Sequence, residues 1–211
     1  MSMMDESLAL ALSSNVRSWS LLIRHAERPE FAAGDFGYSV AITESGSKRA
    51  SELGRALGPR LGRMITSPVP RCVQTAEAIL KGDGRPISEK PVLDRLLGDP
   101  GVWISDGQLA GGAFLQLGPQ GVVTRQISGE LMPGMTPLAE GVERLLNLLC
   151  SGPLDDGKID VYVSHDAVLA PLLSVLLATC DMTTIWPIFL EGMLLGHDLD
   201  GRVIIWRGTR Y

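Results

Sequence analysis

Short apolar runs alternate with amphipathic stretches along most of the chain. "SWSLLIR" (residues 18–24) is a brief apolar run with helix-poor flanks and reads as a buried strand. "RMITS" (63–67) and "DVYV" (160–163) read the same way. "TESGSKRASELGRALG" (43–58) carries Gly46, Ala50, Leu53 and Leu57 at helical spacing behind Thr43 as N-cap. "PRCVQTAEAILKG" (70–82) predicts a helix with Pro70 in its first turn and Gly82 at its end. The strand at 160–163 leads straight into "AVLAPLLSVLLATC" (167–180), a buried helix whose start Pro171 delays or bends. "EGMLLGHDLDGRVIIWRG" (191–208) places two apolar runs around Asp198-Leu199-Asp200-Gly201, a hairpin signal. The expected fold is α/β, a three-layer sandwich whose central sheet is mostly parallel with an antiparallel edge hairpin.

The stretch from about 98 to 136 breaks this pattern. It is glycine-rich and weakly periodic, and it precedes a helix predicted over 137–150. A connection of that length is either a lid or substrate wall, or an insertion packed on the sheet. The expected organisation is one domain over 1–211 carrying this insertion or lid.

Apolar residues make up 45% of the 211 and charged residues 20%, the balance of a globular protein with a real core. Net charge is −5 without a basic block, which argues against nucleic acid as a partner. An anionic substrate would therefore need a local cluster of arginines. Cys72, Cys150 and Cys180 fit neither a disulfide framework nor a zinc pattern, and a reducing compartment is expected. "MSMMDESLALALSS" has acidic residues where a signal peptide needs basic ones, and 167–180 is shorter than the ~20 residues of a membrane span. The expectation is a cytoplasmic protein with no membrane partner.

Three groups bear chemistry, each at the C-terminal end of a predicted strand: Arg24-His25, Ser67 with Arg71, and Ser164-His165-Asp166. In open α/β sheets that edge binds ligands, so neighbouring strands would gather these residues in one cleft.

These blocks resemble the histidine phosphatase superfamily, which includes the phosphoglycerate mutases and the histidine acid phosphatases. "RHAER" (24–28) is similar to its Arg-His-Gly signature, "TSPVPRCVQTAEAIL" (66–80) to its second arginine motif, and "VYVSHDAVLAPLL" (161–173) to its second histidine motif. "ITESGSKRASELGRAL" (42–57) follows the family's first helix, and the blocks occur in family order. The resemblance implies a phosphoglycerate mutase-like fold. It also implies a metal-independent phosphomonoesterase without cofactor, in which His25 becomes phosphohistidine. Arg24 and Arg71 would supply forked donors to the phosphate, protonated His165 a further donor, and neutral His25 the attack.

Arg28 matches the acid-phosphatase branch, whose signature runs Arg-His-Gly-x-Arg-x-Pro, and is read as another phosphate contact. Ala26 departs from that signature; its carbonyl is expected to orient the imidazole, but a positive φ there would be strained. Asp166 matches that branch's proton donor and is favoured for the role, with helix N-cap as its rival. Asp94, four residues before Gly98, resembles the mutase branch's glutamate donor and is the alternative. Ser67 either binds phosphate or caps the following helix. Glu27 faces solvent or a substrate group, and Phe31, Phe36 and Tyr38 either line the leaving-group side or anchor the core. His197 is read as a structural hairpin residue, and three histidines without ligand spacing argue against a metal.

The expected substrate is a phosphorylated small molecule or phosphoprotein. A mutase-like isomerase is the second reading, disfavoured by the aspartate at 94 and by a middle segment poor in lysine and arginine. An inactive phospho-ligand binding module is the third. Composition and motifs leave the substrate and the oligomeric state open.

Overall fold

The computed structural model describes residues 3–30, 37–152, 157–198 and 201–211. In chain order its elements are α1 (Met3–Leu12), β1 (Trp19–Arg24), α2 (Glu44–Leu57), β2 (Leu61–Thr66), α3 (Pro70–Gly82), β3 (Val92–Leu93) and α4 (Gly107–Ile127). They continue with α5 (Leu138–Cys150), β4 (Ile159–Ser164), α6 (Asp166–Leu176), α7 (Met182–Ile185), β5 (Gly192–Asp198), β6 (Gly201–Trp206) and β7 (Thr209–Arg210). Among the described residues the strands form one sheet, ordered β3-β2-β4-β1-β5-β6-β7. β3, β2, β4 and β1 pair in parallel, while β5 to β7 add an antiparallel edge.

The apolar runs are continuous because both sheet faces are covered. Leu21 and Ile23 of β1 point into a core shared with α1, α2 and α3. Leu22 between them points into a second core with α4, α5 and α6. These are the three expected layers. Thr43 caps α2 by accepting from the Gly46 amide, and Gly46, Ala50, Leu53 and Leu57 are all buried. Asp198 pairs with Gly201 across the predicted hairpin.

Gly54 of α2 and Gly82 of α3 let the two helices touch. A Cβ at Gly54 would fall well inside contact distance of the Ile79 carbonyl oxygen, and one at Gly82 would do the same to Ser51. Gly54→Ala is expected to lower stability by about 2 kcal/mol, overpacking outweighing the helix-propensity gain of about 1 kcal/mol. In thermal denaturation that is a Tm drop of roughly 4–8 °C. Gly112→Ala in α4, where an added Cβ meets nothing within 4 Å, should instead raise Tm slightly. Equal Tm values for the two variants would contradict close packing of α2 on α3.

The middle segment is more regular than its sequence suggests. A 3-10 turn (Arg95–Leu97) is followed by α4, whose N-cap Asp106 accepts from the Gln108 and Leu109 amides. The helix bends at Gly118, which sits at φ 67° and ψ 169° ahead of Pro119. Its apolar residues are not gathered into one stripe, and glycine weakens its propensity, so no 3.6-residue period stands out. Two smaller differences follow. α1, a helix that the sequence pattern does not announce, packs Met4, Leu8 and Ala11 on the first core. α6 starts at Asp166 without delay from Pro171 and stops at Leu176, with Cys180 exposed rather than buried. No helix among the described residues is long and apolar enough to cross a membrane.

Candidate active site

Register brings the three predicted groups together. Arg24 of β1 lies opposite Ser164 of β4, and Thr66 of β2 opposite Val163, so the three strands end at one level. Just beyond, the His25 amide donates to the Ser164 carbonyl (2.9 Å) and the Ser67 amide to the Val163 carbonyl (2.9 Å). α3 and α6 begin at this same edge, and their N-terminal amides favour an anion there.

His25 is 2% exposed and held in one orientation. Arg71 Nε lies 3.1 Å from His25 Nε2 and can only donate, so Nε2 carries the lone pair. Nδ1–H then donates to the Ala26 carbonyl at 2.8 Å. Ala26 does this without a positive φ, and its amide donates to Thr75 Oγ1 at 3.0 Å. Burial, with the charges of Arg71, Arg24 and Arg28 added, pushes the imidazole pKa from 6.5 down to about 3 despite the Ala26 hydrogen bond. The ring is therefore neutral at pH 7, as a nucleophile must be.

Arg71 bridges the two histidines. Besides His25 it donates from Nη2 to His165 Nδ1 (3.2 Å) and from Nη1 to the Gly37 carbonyl (2.9 Å). His165 Nε2–H is then left to donate to Ser67 Oγ at 3.2 Å. The expected protonated His165 is absent here: burial, then the charge of Arg71, the neighbouring His25 and the other arginines, hold its pKa well below 6.5. Arg71 and Arg24 are themselves lowered, chiefly by burial, and Arg28 is lowered to about 10 by burial and the other two arginines. Three guanidinium groups crowded into a partly dry site are poised for an anion.

A cavity of about 650 Å³ opens over this cluster, lined at one end by His25, Arg28, Tyr38, Arg71, His165 and Asp166. Arg24, expected to hold phosphate, is not part of that lining. Its Nη2 pairs with Asp166 Oδ2 at 2.7 Å, its Nη1 donates to the Pro187 carbonyl, and its guanidinium lies 4.2 Å from the Phe189 ring centroid. Its buried Nε has no partner among the described residues. Ser67 is fully buried behind His165 and outside the cavity lining; its Oγ accepts from the Val69 amide at 3.2 Å, ahead of α3, whose N-cap Val69 makes no side-chain cap.

Glu27 lies outside the cavity lining, with its carboxylate on the solvent side. Its carboxylate accepts from Thr43 and Ser45 at the start of α2, which lowers its pKa. Asp166 lines the cavity, whereas Asp94 is outside that lining and caps the 3-10 turn through the Leu96 amide (2.8 Å). His165, not Asp166, is the N-cap of α6. Tyr38 is half exposed at the rim, where Oη donates to Asp99 Oδ2 at 3.5 Å. Phe31 and Phe36 lie outside the described residues.

Several positioning residues escaped the sequence reading. Thr75 ties Ala26 to α3, donating to the Arg71 carbonyl at 2.7 Å, and it sits inside the quoted Gln-Thr-Ala motif, where it was legible. Gly98, at φ 151°, backs His165: a Cβ there would lie 2.6 Å from Nε2. Phe189 stacks beside His25, with ring centroids 5.7 Å apart, and nothing in its local sequence signals that. Among the described residues no group of three or more His, Cys, Asp or Glu side chains is placed to hold a metal.

Residues 20–96, which contain His25, Arg71 and the strands that carry them, match the model of the histidine phosphatase superfamily (branch 1). Over that segment the chain is similar to the histidine phosphatase superfamily. No curated protein sequence matches it. Solved histidine phosphatase folds superpose along nearly its whole length. A mycobacterial glucosyl-3-phosphoglycerate phosphatase is 16% identical with TM-score 0.60, covering 92% of this chain and 100% of its own. A phosphoserine phosphatase from Entamoeba histolytica is 18% identical with TM-score 0.59, covering 89% and 94%. A phosphoglycerate mutase from Bacillus anthracis str. Sterne is 16% identical with TM-score 0.55, covering 95% and 93%. At these identities the likeness concerns the phosphoglycerate mutase-like fold, a mostly parallel sheet with an antiparallel edge.

Proposed function

We propose that this chain is a phosphomonoesterase that works through a phosphohistidine at His25. The observation that carries the reading is the bonding of that ring: Nδ1–H anchored on the Ala26 carbonyl, Nε2 facing a guanidinium at the floor of the cavity. In the first step Nε2 attacks phosphorus and the ester P–O bond breaks. The alcohol leaves with a proton from the carboxyl of Asp166, one of two carboxyl groups in the cavity lining and the one next to His165 in the chain. In the second, water attacks phosphorus, the N–P bond breaks, and the water's proton returns to Asp166. Arg71 and Arg28 hold the non-bridging oxygens in line. The Ala26 carbonyl stabilises the cationic ring that forms when Nε2 carries the phosphoryl group. Arg24, tethered to Asp166, acts as a positioning residue for the carboxyl.

The test is hydrolysis of p-nitrophenyl phosphate with EDTA present, together with alkaline quenching of a turnover with labelled substrate. Metal-independent release and an acid-labile, base-stable phosphoenzyme are expected; their joint absence would remove the reading. A second outcome is expected of His165. A phosphate dianion brings to this cluster the opposite sign to the arginines that hold the ring neutral, so His165 gains a proton on binding. Its ring 15N shifts, followed with saturating vanadate or inorganic phosphate, should report a raised pKa. A His165 that stays neutral would show that it serves only to position Arg71.

A further inference from the structure

The phosphate end occupies only part of the cavity. Beyond it the walls are built from Trp103, Phe114, Val122, Val123 and Val168, with the bend of α4 at Gly118 shaping the far side. Every basic side chain in the lining belongs to the phosphate end: the cations Arg28 and Arg71, and the two neutral histidines. The remaining charged liners, Asp99 and Asp166, are acidic. A leaving group bearing a carboxylate or second phosphate would thus meet no counter-charge in the rest of the described lining, and a carboxylate to repel it. Residues 31–36, "FAAGDF", add no basic side chain. Gln126 is the polar exception in the far wall. Its Nε2 donates to the Thr136 carbonyl, while its buried Oε1, without a partner among the described residues, can accept one hydrogen bond but cannot balance a charge.

We propose that the substrate is the phosphomonoester of an apolar alcohol, whose hydrocarbon part lies along α4 and Trp103 while its phosphate sits on His25 and Arg71. The proposal rests on the phosphomonoesterase reading and narrows it: the phosphoryl group passes to Nε2 and then to water, and the apolar alcohol departs with the Asp166 proton. Burial of each added methylene against such a wall increases kcat/KM about fourfold. Beyond the shortest alcohols the acidity of the leaving group barely changes with chain length, so the trend isolates the wall.

The experiment measures phosphate release from ethyl, butyl and hexyl phosphate, from phosphoserine and from 3-phosphoglycerate. We expect kcat/KM to rise at least about thirtyfold from ethyl to hexyl, and the two carboxylate-bearing esters to do no better than ethyl phosphate. Phe114→Ala, and Leu115→Asp at an exposed position of the same wall, should each cut the hexyl-to-ethyl ratio at least fivefold, about 1 kcal/mol. A flat chain-length series, a preference for phosphoserine, or an unchanged ratio in Leu115→Asp would overturn the proposal while p-nitrophenyl phosphate turnover kept the phosphatase reading intact. Loss of all turnover, with no phosphoenzyme, would instead remove both.

Discussion

His25→Ala is expected to lower p-nitrophenyl phosphate turnover by about 10⁴-fold or more and to abolish the acid-labile phosphoenzyme, since no other group can take over a nucleophile's covalent step. The residual rate comes from the arginine cluster, which still positions phosphate, so KM should change far less than kcat. The variant also has a signature independent of activity. In the folded chain His25 titrates at about 3, against 6.5 when unfolded, so the unfolded state takes up a proton that the native state refuses. The wild type therefore loses stability as pH falls from 6.5 towards 3, and His25→Ala removes that part of the loss. Denaturant unfolding at pH 7 and pH 4 should show a smaller pH-dependent loss in the variant. Turnover within tenfold of wild type would place the nucleophile elsewhere.

Legibility followed the range over which each feature is determined. β1, β2 and β4 could be read because a strand buried on both faces must be apolar throughout, and α2 and α3 because their periodicity and Thr43 or Pro70 mark their ends. Their meeting at one edge followed once the order β2-β4-β1 was known, a property of pairing and not of any local segment. α4 could not be read the same way. It faces a core on one side and a cavity on another, so its apolar residues encircle it, and glycines make room for the cavity at the expense of propensity.

Within the site, residue types were legible and their partners were not. His25, Arg71 and His165 stand out by motif, and cluster as expected. Arg24 has the same signal, yet an ion pair to Asp166 142 residues away draws it out of the cavity lining. Glu27, expected to face solvent or a substrate group, stays on the solvent side, where Thr43 and Ser45 at the start of α2 offer it two hydroxyls. Long-range partners decide such roles. Gly98 shows the same limit, since only the packed structure reveals His165 against its Cα.

Arg71→Ala should lower kcat/KM by about 10³-fold, the scale seen when an arginine that neutralises a phosphoryl transition state is removed. Arg71→Lys should recover little of it. The guanidinium reaches His25, His165 and the Gly37 carbonyl from three different nitrogens, at 3.1, 3.2 and 2.9 Å, and an ammonium is a single point on a flexible stem. Charge alone is therefore not what the position supplies. The pKa of His25 separates the two contributions. Arg71 lowers it by charge, so Arg71→Ala should move the His25 titration upward from about 3, and Arg71→Lys should hold it lower than alanine does. Ring 15N titration of both variants, beside their kcat/KM values, distinguishes the outcomes. Retained activity in Arg71→Lys to within threefold of wild type would mean that the fork is dispensable and that the site needs only a positive charge behind the nucleophile. A depressed His25 titration combined with lost activity would mean that the neutral nucleophile is preserved, and that what has been lost is the grip on the phosphate oxygens.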